Sequence, residues 1–165
     1  MTRYCIRNEW TPNPDVSISL KTGQVFTKAT EVKDVIRRFA IQEGFQLNKL
    51  KNDKSRYTVT CLNEDCDWRL HASTLTDGVT FLIRSITGNH SLCQRQPVNR
   101  EANSKWIAAA FGAMILSNPS IDAIVIKNEL RNKFGVQASS QSIYRAKKWV
   151  LKNLRADHIE AYTMI

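Results

Sequence analysis

No apolar run in this chain approaches the roughly 20 residues that a membrane-spanning helix requires. The opening segment, Met1 to Trp10, carries Arg3, Arg7 and Glu9 and has no apolar core, so it does not read as a secretory signal. Both absences point to an intracellular protein, where disulfides rarely persist. There is no internal repeat and no low-complexity tract, which sets aside repeat architectures. The Gly-rich P-loop that cradles nucleotide phosphates is missing. So are the His-x-Glu and Pro-Cys-x-x-Cys elements of a zinc deaminase. The chain is therefore expected to carry no catalytic machinery of its own.

What is present is positive charge. The 165 residues carry a formal net charge of +9, with 42% hydrophobic and 24% charged residues. That balance folds, and it suits a polyanion: nucleic acid most often, an anionic membrane sometimes. The length fits one domain or two small ones.

Hydrophobic periodicity divides the chain. Residues 1–22 read as a lead-in, with a turn-like Trp10-Thr-Pro-Asn-Pro14 and a short alternating strand from Val16 to Leu20. Gly23 can turn the chain before Val25-Phe26. Val32, Val35, Ile36, Phe39 and Ala40 form one stripe, which predicts a helix over 30–43 with Thr30 as N-cap and Gly44 as its left-handed stop. The period then changes to two. Phe45–Leu50, Tyr57–Cys61, Trp68–Ala72 and Phe81–Ile86 predict a four-stranded antiparallel sheet, with Thr76-Asp-Gly78 as a hairpin signal. After Cys93 the helical period returns. A helix is expected over 104–116, with Ile107, Ala110, Phe111, Met114 and Ile115 on one face. A second is expected from an Asn118-Pro119 start to Phe134, stopped by Gly135. A third is expected over 141–155, capped by Ser139 or Ser140, with Ile143, Ala146, Val150, Leu151 and Leu154 inward. The fold class is thus α+β. A lead-in (1–22) precedes a sheet domain (23–96) and a three-helix, helix-turn-helix-like domain (100–157).

Three of the four cysteines cluster. Cys61 and Cys66 form one pair, and His90 and Cys93 a second, both at predicted strand ends. Zinc takes four nitrogen or sulfur ligands in a tetrahedron, and paired ligands let each loop grip half of it. One structural zinc ion is therefore expected on Cys61, Cys66, His90 and Cys93. Such a site is closed to a catalytic water, and the metal supplies folding energy to a small sheet. The bland alternative is three unrelated thiols and a surface histidine. His71 sits mid-strand and reads as a sheet residue, His158 as a solvated one, and Cys5 as an ordinary thiol.

Gly44-Phe-Gln-Leu-Asn-Lys-Leu-Lys-Asn-Asp-Lys54, Tyr57-Thr-Val-Thr-Cys61, Cys66-Asp-Trp-Arg-Leu-His-Ala72 and Gly88-Asn-His90 resemble the WRKY-type zinc fold. The pattern is closest to the DNA-binding domain of plant Mutator-like (MuDR) transposases and the regulators derived from them. The resemblance covers about residues 24–95. Asn103-Ser-Lys-Trp106 and Tyr144-Arg-Ala-Lys147 extend it into the helices. Ile159-Glu-Ala-Tyr162 resembles the linker before the family's RNase H-like catalytic domain, for which no room remains here. One departure stands out. The family usually separates its last two ligands by one residue, whereas two separate His90 from Cys93.

The resemblance implies a nuclear, sequence-specific binder of double-stranded DNA. It implies that the strand over 46–54 enters the major groove edge-on, bringing Asn48, Lys49, Lys51, Asn52 and Lys54. Lysine can donate to guanine or phosphate, and asparagine can pair with adenine. Arg56 and Arg69 are placed to clamp phosphates. A solvated lysine-rich edge that discourages aggregation is the plain alternative. On the last helix Arg145, Lys148, Lys152 and Arg155 share a face and offer a second DNA surface, or simply a solvated one. Trp68 and Trp106 are expected in the core rather than stacked on bases. The competing function is a protein-interaction module, with the late helices forming a homodimer and the zinc unit as scaffold.

Overall fold

The computed structural model of the protein describes residues 17–90 and 93–163, with side chains as far as Asn153. Cys5 and the Trp10–Pro14 stretch lie outside the described residues, as do the side chains of Leu154, Arg155 and His158. The chain divides into two compact units between Arg95 and Gln96. Among the described residues no helix is long and apolar enough to cross a membrane.

The first unit is an α+β layer pair. Its elements are β1 (Val25–Phe26), α1 (Ala29–Glu43), β2 (Leu47–Asn52), β3 (Arg56–Cys61), β4 (Arg69–Thr74) and β5 (Phe81–Thr87). All strand pairs are antiparallel, in the order β1-β5-β4-β3-β2. Among the described residues the sheet therefore has five strands and not four. Two residues are too few to show a period. Gly23, with φ of 94°, turns the backbone so that its N–H donates to the Ile83 carbonyl, and β1 is laid beside β5. The expected strand from Val16 to Leu20 is not one over its described residues, 17–20. Its alternation instead serves an extended segment that buries Ile18 and Leu20 against the core. The Gln42 side chain takes the place of a strand partner, accepting from the Ile18 N–H at 2.6 Å and donating to its carbonyl at 2.9 Å.

Helix α1 lays Val32, Val35, Ile36 and Ala40 on Phe26, Leu47, Tyr57, Val59, Leu70, Ala72, Phe81 and Ile83. Each fully buried side chain of this size contributes about 1.5–3 kcal/mol. Thr30 is not the cap. Lys28 holds that position without a side-chain bond, and Thr27 closes the helix start by donating its hydroxyl to the Glu31 carboxylate at 2.7 Å. Gly44 ends the helix at φ of 80°, donating to the Ala40 carbonyl. The strand expected over 46–54 runs over Leu47–Asn52 and stops short of Lys54. Asp53 ends it, accepting from the Ser55 and Arg56 N–H groups at 3.0 and 2.8 Å. Those two backbone donors hold its carboxyl down to about 2.

The second unit contains α2 (Ser104–Ser117), α3 (Ala123–Phe134) and α4 (Ser140–Thr163), so four helices are present in all among the described residues. Asn103 caps α2 by accepting from the Trp106 N–H at 2.9 Å. The inward arc of α2 is Trp106, Ile107, Ala108, Phe111 and Ile115, which leaves the expected inward Ala110 exposed. Helix α3 starts four residues after Pro119, not at it. Asp122 is its cap, and Asn118 instead terminates α2, donating to the Met114 carbonyl. A carboxylate two residues before an N–H group competes better for that cap than the distant asparagine. Gly135 stops α3 at φ of 67°, and Ser139 caps α4 by accepting from the Ser142 N–H. Ile126, Leu130, Ile143, Ala146 and Val150 are buried, and Trp106 meets Phe134 edge-on at 4.9 Å.

Gly44 makes the helix-to-strand corner testable. A β-carbon there would meet the Arg95 side chain at 2.4 Å in a left-handed backbone. Gly44→Ala should lower stability by about 1–2 kcal/mol, read as a lower urea midpoint.

Candidate metal centre and nucleic-acid interface

Cys61 is the last residue of β3, and a tight turn brings Cys66 back beside it. The Cys66 N–H donates to the Asn63 carbonyl at 3.0 Å, and the Cys61 N–H to the Trp68 carbonyl at 3.3 Å. Beyond β5, Gly88 has φ of 75° and lies so close to Asp67 that a β-carbon would meet its carbonyl oxygen at 2.4 Å. Asn89 donates to the Asp67 carboxylate at 3.2 Å. This clasp delivers His90 to the same place. The Cys93 N–H then donates to the His90 carbonyl, turning the second pair inward.

The ligand atoms of Cys61, Cys66, His90 and Cys93 all lie within 4.8 Å of one another. Cys61 Sγ is 3.9 Å from Cys93 Sγ, and Cys66 Sγ is 3.3 Å from His90 Nδ1. Metal–sulfur bonds of about 2.3 Å in a tetrahedron give sulfur–sulfur edges near 3.8 Å. The cysteines are free thiols, so no disulfide competes for them. His90 stacks on Phe45 at 3.8 Å and tilts against Trp68 at 5.0 Å, which fixes the ring. Among the described residues its buried Nε2 has no hydrogen-bond partner, and its Nδ1 faces the Cys66 thiol. Burial keeps this ring neutral by lowering its pKa, against the pull of Glu43 and Asp67. Burial also pushes the Cys61 thiol up to about 12, with the Cys66 and Cys93 thiols adding to it, and raises Cys93. A neutral imidazole and three crowded thiols, two of which (Cys61 and Cys93) resist ionising, are the donor set of a metal site. The residues fit the group. All four donors belong to the protein.

The other candidate residues lie at the sheet edge and beyond. Among the described residues β2 is the last strand of the sheet and pairs with β3. Asn48, Lys49, Lys51 and Asn52 are exposed on it, Lys54 is exposed in the hairpin, and Arg56 opens β3 beside Asp53 at 3.2 Å. Arg69 is exposed at the start of β4. Register slips between Lys49 and Lys51, so Leu50 bulges outward with 46% of its surface exposed. Arg145, Lys148 and Lys152 are exposed on α4. Trp68 and Trp106 are both buried. The sequence reading missed Arg84, whose guanidinium donates to Ser73 Oγ and the Thr74 carbonyl. It also missed the hydrogen bond between Thr58 Oγ1 and His71 Nδ1, at 2.7 Å.

The raised thiol sets a pH test for the metal-free chain. An unfolded cysteine ionises near its ordinary 9.0, whereas folded Cys61 keeps its proton to about 12. Stability from this group is therefore complete below pH 9.0 and is lost as pH climbs from there toward 12. The urea midpoint of the metal-free chain should fall across that window and fall less in Cys61→Ser; a midpoint flat in pH would contradict the burial of this thiol.

No curated protein and no solved structure matches the chain. A family match covers part of the first unit and stops before His90 and Cys93. The matching model describes a DNA-binding domain and not a catalytic one. Residues 17–83 match the family described as MuDR family transposase.

Proposed function

We propose that this chain binds double-stranded DNA sequence-specifically through a WRKY-type sheet held by one zinc ion on Cys61, Cys66, His90 and Cys93. It acts in the nucleus, as the N-terminal part of a plant Mutator-like transposase or of a regulator derived from one. The observation that carries this reading is the register of β2. Leu47 pairs with Cys61, and the Leu62 N–H donates to the Gln46 carbonyl at 2.8 Å. The donor cluster therefore sits at the root of the strand that bears Asn48, Lys49, Lys51 and Asn52. Bound zinc supplies the charge that lets crowded thiolates share this corner.

The edge suits a groove. B-DNA's major groove is about 12 Å wide and admits β-structure. The bulge at Leu50 turns Lys49 and Lys51 toward opposite sides of the sheet, so β2 presents donors on both flanks of its edge. Lys54 and Arg56 lie where the hairpin would meet a phosphate strand. Arg145, Lys148 and Lys152 on α4 provide a second basic surface, and a steep salt dependence follows if both surfaces engage.

One observation favours a second role for the helical unit. Tyr144 and Trp149 on α4 are 66% and 47% exposed, which suits a protein partner or a second copy of the chain.

Selection from random duplexes in the presence of zinc should enrich a defined sequence. Lys49→Ala with Lys51→Ala should weaken that duplex about tenfold or more, at unchanged zinc content. Failure to enrich any sequence, with and without zinc, would overturn the reading.

A further inference from the structure

The open face of the sheet, opposite α1, is more strongly patterned than its edge. Cross-strand register places Asn48, Thr60, Arg69 and Thr87 in one row and Lys51, Thr58, His71 and Ser85 in the next. Arg56 pairs with Ser73 in a third. No acidic residue occupies these rows. The register of β4 and β5 slips between His71 and Ala72, which makes Arg84 the extra residue of a bulge. Its guanidinium donates to Ser73 Oγ at 2.8 Å and to the Thr74 carbonyl at 3.0 Å, so the charge lies over this face. His71 is held at the centre by its bond to the buried Thr58 hydroxyl.

We propose that this open face is a phosphate platform. Arg69 and Arg84, with Arg56 and Lys51 at the margin and His71 at the centre, grip the DNA backbone beside the groove that β2 enters. The proposal rests on the DNA-binding reading above. It adds Arg84 and His71 to the interface and separates two tasks. Asn48 and Lys51 belong both to the edge and to the first two rows, so platform and edge are continuous. Guanidinium groups match phosphate oxygens with two parallel N–H donors. Apart from Arg56, which pairs with Asp53 at the margin, these cations have no carboxylate among them in the rows and repel one another until a polyanion arrives.

The arrangement couples binding to a proton. Burial, and then the charges of Arg69, Arg84 and Arg56, hold His71 below its ordinary range. The charged groups facing it are Lys51 from β2, Arg56 from β3, Arg69 from β4 and Arg84 from β5. A phosphate laid on this face offsets those charges and lets His71 take up a proton. Affinity therefore rises as pH falls through the ordinary histidine range.

The experiment measures duplex affinity of the full zinc-loaded chain against salt and pH, with a selected duplex and a scrambled one. Arg84→Gln and Arg69→Gln should each weaken both duplexes about equally. Each should reduce the slope of log affinity against log salt by about 0.9, and leave the selected sequence unchanged. His71→Gln should flatten the pH dependence. Zinc content and the thermal midpoint of each variant report folding, and Arg69→Gln decides the matter if Arg84→Gln fails to fold. Wild-type binding with unchanged slopes in both arginine variants would overturn the platform alone. No binding of either duplex by the wild-type chain would overturn the platform together with the reading on which it rests.

Discussion

The first unit depends on one meeting point, where two chain segments far apart in sequence bring three sulfurs and an imidazole nitrogen within 4.8 Å. Among the described residues the sheet alone is modest, with strands of two to seven residues and one helix covering one face. Its edge strand has only Leu47 buried. An edge held by so little apolar surface would fray if backbone pairing were its sole support. Pairing of Leu47 with Cys61 ties the root of β2 to the donor cluster, and His90 closes the cluster from beyond β5. The aromatic stack of Phe45, Trp68 and His90 links the same corner to the core.

That coupling explains how a small sheet can keep a basic edge in register. Lysines in a row repel, and their long side chains lose entropy when ordered. The fold does not order them. It orders the backbone beneath, through the Asp53 turn at one end of β2 and the cysteine clasp at the other. The bulge at Leu50 spreads the basic side chains over both flanks. In the proposed reading, sequence recognition falls chiefly to the edge and backbone contact chiefly to the open face, with Asn48 and Lys51 shared between them.

Much of the first unit was legible because its signals are local. The stripe from Val32 to Ala40, Gly44 after it, and the alternation of Tyr57–Cys61 and Trp68–Ala72 each lie within one element. The cysteine pairs were legible because ligand spacing is a local constraint on a loop. What escaped was set by register. β1 has too few residues for a period and exists because β5 lies beside it. Ile18 and Leu20 alternate as a strand does, but Gln42 is their partner. Arg84 looked like an ordinary polar residue in an apolar run, and only the bulge opposite His71 carries it to the open face. In the second unit Asp122 outcompeted Asn118 for the start of α3, a choice between two acceptable caps that spacing alone does not decide.

The most direct measurement is amide hydrogen exchange across residues 46–62, with zinc bound and after chelation. If the metal clasp holds the edge strand, chelation should strip protection from the β2–β3 amides, the Leu62 N–H foremost, while Val35 and Ile36 in α1 lose less. Protection of β2 and β3 that is the same with and without zinc would contradict the account.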